Sequence, residues 1–457
     1  MLFLRTHLLG SSAAVLAILS ASPAAAADED KGGAKLEIEG STRARVEAIA
    51  GEYRPGAPAD ETFVSFRTNL AVTVDAGPVR IGGELIDARG YAEDKKSAAT
   101  LKEFNALEPV QAYVTLSGGD LLGKGSKSAL TLGRFSMDFG GSRLIGRTDF
   151  PNVVISYAGV RFDWTDKAKD RLLAFWTQPF TVLPDDAASI TANQVQLDRA
   201  GKNIQFWGAA FARAKLVSNV SGELYVFRLA EHDGMSHLTR DRRLVTYGFR
   251  LRRAPAARHF DFELAAAGQG GTARATTAAS DRKDLTVEAG FAHAEAGWTF
   301  AGGWTPRVSA QFDIASGDGP DPNHYGRFDT LFGARRSDFG PTALDGPIQR
   351  ANLISPGARI EVKPAKTIDA FFAVHGLWLA EPTDSFAATG VRDKTGRSGS
   401  FAGTQLEARV RDWIVPKKIR LECGATYLAK GQFLRDAPNA PDTGDTRYGY
   451  VELAFQF

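Results

Sequence analysis

The chain has one cysteine, Cys423, in 457 residues, so no intrachain disulfide can form. An exported protein without disulfides must be held together by another device, and Cys423 reads as a small buried or lipid-facing residue. Methionine is scarce, with three in all. Beyond residue 30 no run approaches the roughly 18 consecutive apolar residues of a transmembrane helix, so helical spans are excluded. Net charge is only +2, from 55 basic and 53 acidic residues, so electrostatic preference must come from where charges sit. No G-x-S-x-G elbow, H-E-x-x-H pair or P-loop occurs. His232 and His237 share a connection with Asp233, while His293, His324 and His375 are scattered. A hydrolase needs a nucleophile beside a base, so no enzyme and no cofactor are expected. No basic stripe with interleaved aromatics suggests nucleic acid.

What is present begins with a leader. Arg5 makes a short positive region, Leu8 to Ser20 an apolar one, and Ala24 to Ala27 offer small-residue cleavage sites before Asp28. Residues 1–27 read as a cleaved signal peptide, 28–34 as a short periplasmic segment, and 35–457 as the folded body.

That body alternates with period two. Val64, Phe66, Leu70, Val72 and Val74 fall opposite Ser65, Arg67, Asn69, Thr73 and Asp75. Val245, Tyr247, Phe249 and Leu251 fall opposite Thr246, Gly248, Arg250 and Arg252. Leu406, Ala408 and Val410 oppose Gln405, Glu407, Arg409 and Arg411, and the C-terminal run ends on Phe457. Strands are expected near 35–49, 62–75, 78–88, 107–117, 127–138, 155–165, 169–178, 203–216, 220–230, 242–253, 259–269, 285–299, 306–315, 348–363, 367–380, 401–414, 417–430 and 446–457. The links between them alternate short (76–77, 166–168, 217–219, 364–366) and long (139–154, 179–202, 316–347, 381–400). A soluble sandwich also alternates along its strands, but it has no reason to put every long link at one end. Lipid permits strands to span only as a closed barrel. The expected fold is all-β: a closed antiparallel transmembrane β-barrel of about eighteen strands, with short periplasmic turns and long extracellular loops. Trp164, Trp176, Trp207, Trp298, Trp304, Trp378 and Trp413 lie at or near strand ends, as interfacial girdles do.

A lipid-facing arginine near the bilayer midplane costs roughly 2–4 kcal/mol. Arg134, Arg143, Arg147 and Arg161 crowd the stretch from Leu130 to Trp164, and so belong in a lumen or at its mouth. Arg67, Arg250, Arg252, Arg359 and Arg409 alternate away from the apolar faces. Guanidinium forks onto carboxylates with two parallel hydrogen bonds, so such a row can relay anions. Glu84, Asp163, Glu361 and Glu407 share those faces, and the alternative is a structural charge network. The connection 316–347 offers Asp318, Asp321 and Asn323 as calcium ligands, though the spacing matches no complete loop and a plain turn is favoured. It is also long enough to fold inward, where Arg327, Arg335 and Arg336 would add positive charge.

The stretch LGRFSMDFGGSRLIGRTDF, residues 132–150, followed by YAGVRFDW, 157–164, resembles the alginate export family of outer-membrane porins. QAYVTL, residues 111–116, resembles the family's preceding strand. Phe135 stands where the family often has glutamine, Gly140-Gly141 where an acid usually follows the first glycine, and ISYAG replaces the more usual Arg-Thr-Phe-Asp-Gly. The resemblance implies an eighteen-stranded barrel and places Arg134, Arg143, Arg147 and Arg161 in an electropositive conduit for an anionic polysaccharide or its fragments. The reading is an outer-membrane channel for anionic saccharides, in contact with outer-membrane lipid and inserted by the barrel-assembly machinery. The alternatives are a general anion-preferring porin for small solutes, and a barrel-embedded enzyme or surface-binding protein.

Overall fold

A computed structural model describes residues 33–92, 103–147, 150–234, 238–334, 336–340 and 346–457. The signal peptide at 1–27, most of the 28–34 segment, His237 and Arg335 lie outside the described residues.

Among the described residues, eighteen long strands form one closed antiparallel sheet. They are β1 Lys35–Ala50, β2 Asp60–Ala76, β3 Val79–Ala92, β4 Asn105–Gly119, β5 Lys127–Phe135 and β6 Tyr157–Thr165. Then come β7 Arg171–Thr181, β8 Ile204–Val217, β9 Val220–Glu231, β10 Arg243–Arg253, β11 Phe260–Ala273 and β12 Leu285–Thr299. The last are β13 Arg307–Ala315, β14 Leu353–Val362, β15 Ile368–Trp378, β16 Phe401–Val415, β17 Ile419–Lys430 and β18 Thr446–Gln456. Each pairs with its neighbours in sequence, and β18 returns to β1 with Gln456 opposite Ser41 and Arg447 opposite Ala50. Gly40 and Phe457 exchange two backbone hydrogen bonds of 3.0 Å, which fasten the seam at its periplasmic end. Closure leaves no unpaired edge.

The two faces differ as the alternation predicts. Phe66, Val72, Ile81, Leu132, Phe312, Phe372 and Val451 are exposed on the outside, where a soluble protein would carry polar groups. Ser65, Arg67, Gln405, Glu407 and Glu452 are buried on the inside. Aromatic rings lie across glycines of the adjoining strand, Tyr113 over Gly82, Tyr225 over Gly248 and Tyr450 over Gly424, each pair in register. This arrangement covers glycine backbone that would otherwise be bare.

The expected strands match to within a few residues, with two instructive shortfalls. The strand expected over 348–363 begins only at Leu353, because Asn352 has φ 48 and its side chain bonds the next loop, donating to the Glu381 and Ser385 carbonyls and accepting from the Glu381 amide at 2.7 Å. The strand expected over 127–138 stops at Phe135, after which the chain turns into the barrel. Within β5 and β6, Gly133 (φ 122) faces Gly159 (φ 156) in register, and neither has room for a Cβ against the neighbouring backbone. A Gly133→Val variant is therefore expected to lose the heat-resistant folded band on unboiled gels, a failure that Ala129→Val on the same strand should not share.

Candidate functional site

Two long connections leave the extracellular rim and enter the barrel. The first, 136–156, spans the lumen. At one end Arg147 reaches Glu84 of β3 at 2.6 Å. Arg43 and Arg45 of β1 and Arg67 of β2 donate to its carbonyls at Phe150 and Pro151. At the other end Phe139 meets the rings of Tyr225 and Phe227 on β9, and Arg143 pairs with Glu263 on β11. The second connection, 316–352, runs from Gln269 on β11, which accepts from the Asp329 amide at 2.9 Å, to Gln405 on β16, which donates to the Phe339 carbonyl at 3.3 Å. The two join inside: the Phe332 amide donates to the Leu144 carbonyl and the Gly146 amide to the Phe332 carbonyl, both at 3.0 Å. Gly333 allows the approach, since a Cβ there would collide with the Arg143 carbonyl.

Beneath this crossing the β5–β12 wall is aromatic. Phe175, Phe206 and Phe227 pack together with Tyr157, and Phe332 lies 4.9 Å from Phe206 and 5.6 Å from Tyr157 between ring centroids. Sequence alone gave no sign of this layer, because these rings share the inward parity that elsewhere carries charge. The interior thus carries apolar layers on both sides, and on β6–β11 they stand beside the charged Arg161, Glu223, Arg250 and Glu263.

Of the expected arginines, most hold a carboxylate, and all but Arg134 point inward or sit on the crossing loops. Arg134 corrects the expectation, because it shares the outer parity of Leu130 and Leu132 and pairs in register with Ala112 and Ala158. It sits at the short extracellular end of β5, where Glu108 and Asp198 hold it. Arg134 pairs with Glu108 and with Asp198 at 3.0 Å, and stacks 3.6 Å over the Phe180 ring. Arg67 donates to Asn69 and to the Pro151 carbonyl, both at 3.2 Å. Arg143 lies between Glu263 and Asp338, the latter at 3.4 Å. Arg250 pairs with Glu263 at 2.6 Å and Glu223 at 3.3 Å. Arg359 meets Glu361 at 2.9 Å, Arg409 meets Asp369 at 2.7 Å, and both face the ring of Phe371. Arg161, paired with Asp163 at 2.7 Å, and Arg252, 3.6 Å from Glu263, keep 30% and 46% of their side chains exposed.

Two groups emerge. Arg67, Arg134, Arg143 and Arg147 are clamps that fix loops, while Arg250 ties β10 to β9 and β11 through Glu223 and Glu263. Arg161, Arg252, Arg359 and Arg409 lie nearer the periplasmic strand ends, away from the crossing. The sequence reading missed further inward arginines: Arg43, Arg45, Arg307 and Arg420 on strands, and Arg350 on a loop, while Arg411, on the polar face by its alternation, joins Arg409 on Asp369 at 2.8 Å. The alternation Arg43-Ala44-Arg45-Val46-Glu47 carried the signal for the first two. Arg307 joins Asp261, Glu295 and Glu361, and Arg45 and Arg420 share Glu452. Arg350 meets Asp338 and lies 3.4 Å from Asp313, which pairs with His293 at 3.0 Å. No hydrogen bond reaches the other ring nitrogen of His293 among the described residues. Asp318 and Asp321 accept from the Gly326 and Asn323 amides, so their carboxylates hold the turn itself.

A third loop, 182–203, docks over β3 and β4. Asn193 bonds both backbone groups of Gly90 at 2.9 Å, and Asp198 accepts from Asn105, Arg134 and the Leu183 amide. Burial, then the neighbouring Glu108, pushes Asp198 up to about 6, against the pull of the Leu183 amide and Arg134. A carboxyl whose value is raised in the docked state binds its proton more tightly there, so docking is strongest below its ordinary range and weakens as pH rises through about 6. Hydrogen exchange of the 183–200 amides, corrected for intrinsic rate, should report more opening at pH 7 than at pH 5. Asp198→Asn should abolish that difference.

A closed eighteen-stranded barrel, greasy outside, polar and charged within, with its long loops at one rim, is an outer-membrane porin. The chain belongs to the alginate export family, whose sequence profile matches residues 35–446. No curated protein matches the sequence. Among solved structures it is similar to OccK9 (OpdG) of Pseudomonas aeruginosa, at 10% identity, with 92% of this chain and 98% of that one covered and a TM-score of 0.58. It is also similar to OpdQ of the same organism, at 12% identity, 93% and 97% coverage and a TM-score of 0.55. A third is OccK2 (OpdF) of that organism in complex with glucuronate, at 10% identity, 92% and 96% coverage and a TM-score of 0.54. At such identities the likeness is one of fold.

Proposed function

We propose that the barrel passes anionic saccharides, acidic oligosaccharides or segments of an anionic polysaccharide, down a gradient and without chemistry. The observation that carries this reading is the set of inward guanidiniums below the loop crossing, Arg161, Arg252, Arg359 and Arg409. Each is already engaged by a carboxylate, so a passing uronate exchanges for a protein carboxylate instead of binding a bare charge. Such exchange keeps every site weak enough to release its guest, as conduction requires. Family membership supports the reading, as does the glucuronate bound by OccK2, a protein of similar fold.

The crossing of 136–156 with 316–352 favours a second reading, a porin for small acidic solutes, since two joined loops leave less room for a polymer. Ion current through single barrels in planar bilayers separates the two. Block by oligouronates that lengthens with chain length supports saccharide passage. Current untouched by oligouronates, with anion preference intact, supports the small-solute porin. Absence of any current would contradict both.

The export signal at 1–27 and the use of the barrel-assembly machinery belong to the same proposal. Sequencing the mature N-terminus should find it at Asp28.

A further inference from the structure

An arginine on the lipid-facing wall is tolerated only near an interface. Arg228 is such a residue. It shares the outer face of β9 with the exposed Leu224 and Val226. It forms no ion pair among the described residues, and its guanidinium lies 5.4 Å from the ring of Trp207 on β8. Trp207 is its register partner and is itself opposite Trp176 on β7, so three adjacent strands set Trp, Trp and Arg in one outer row. Tryptophans at one level mark the membrane interface, and the nearby ends of β8 and β9 on the long-loop side make this the extracellular one. Arg243 on β10 stands one row higher on the same face, diagonal to Arg228. It donates to Asp241 at 3.0 Å and keeps 53% of its side chain exposed. Directly below both, on the same strands, an open apolar groove is floored by Ala209 and walled by Phe211, Leu224, Val226, Tyr247 and Phe249.

Two guanidiniums at headgroup level above an apolar groove that descends into the bilayer match an amphiphile with both a phosphate and acyl chains. We propose that this face holds the phosphorylated glycolipid of the outer leaflet, with a phosphate between Arg228 and Arg243 and an acyl chain in the groove. Guanidinium binds phosphate oxygens through paired, charge-assisted hydrogen bonds. The site is on the outer wall and is independent of what the lumen conducts.

The test uses the purified full-length barrel in mild detergent, offered bis-phosphorylated lipid A, its dephosphorylated form or phosphatidylglycerol, with bound lipid counted by native mass spectrometry. The wild type should retain the phosphorylated form selectively. Arg228→Gln with Arg243→Gln should lower that retention roughly tenfold or more, the worth of one lost charge-assisted contact. Ala209→Trp, which fills the groove and leaves both arginines in place, should lower it as well, and carries the test if the double variant does not fold. Equal retention of phosphorylated and dephosphorylated lipid A by the wild type overturns the proposal. So does retention of phosphatidylglycerol equal to that of lipid A, or unchanged retention in the folded variants.

Discussion

Replacing Arg143 by glutamate is expected to open the barrel. Its guanidinium sits between Glu263 on β11 and Asp338 on the second crossing loop, only 7% exposed. Through Glu263 it continues to Arg250 and Glu223, and through Asp338 to Arg350, Asp313 and His293. Acid and base alternate along this row, so it ties both crossing loops to β9–β13. Removing one partner from a buried ion pair costs about 3–5 kcal/mol, and every 1.4 kcal/mol is a factor of about ten in an equilibrium. Glutamate adds repulsion by bringing a third carboxylate against two. The closed-to-open ratio of the loops should therefore fall roughly a hundredfold or more, and a larger, noisier conductance state should dominate single-channel records. Unchanged conductance in a folded Arg143→Glu barrel would mean that the crossing does not limit flow.

Arg161→Glu with Arg252→Glu should have the second-largest effect, on selectivity. These two side chains keep 30% and 46% of their surface exposed and hold no loop in place, so the barrel should fold normally. Unit charges about 4 Å apart in water interact by about 1 kcal/mol, which corresponds to roughly a fivefold change in relative permeability per site. The chloride-to-potassium permeability ratio should drop by at least that much. The shift should grow on dilution, because the Debye length lengthens from about 10 Å at 0.1 M to about 30 Å at 0.01 M. Arg134→Glu is a poorer probe of the pathway, because Arg134 also anchors the 182–203 loop through Asp198.

The barrel was legible in the sequence because membrane strands obey two local rules. Alternation decides which side chains meet lipid, and loop length decides which rim a connection occupies. Neither depends on distant residues, so β10 and β16 could be read from their own side chains. The charged interior was legible only by parity. That Arg43 and Arg67 face inward follows from alternation, but that they hold carbonyls more than 80 residues away does not. Arg143 and Glu263 are 120 residues apart, and their meeting depends on a loop that crosses the lumen. Arg228 was equally readable from Leu224-Tyr225-Val226-Phe227-Arg228, where it falls on the apolar parity. An arginine that breaks the pattern on the lipid face carries as much information as one that obeys it inside.

Everything in the transport account rests on inward guanidiniums outweighing the carboxylates that accompany them at the narrow, water-exposed part of the lumen. The reversal potential of the wild-type barrel in a potassium chloride gradient measures that balance directly. The account predicts a potential of the sign set by chloride. A potential set by potassium would contradict it, since the paired acids would then govern the field that a passing anion meets.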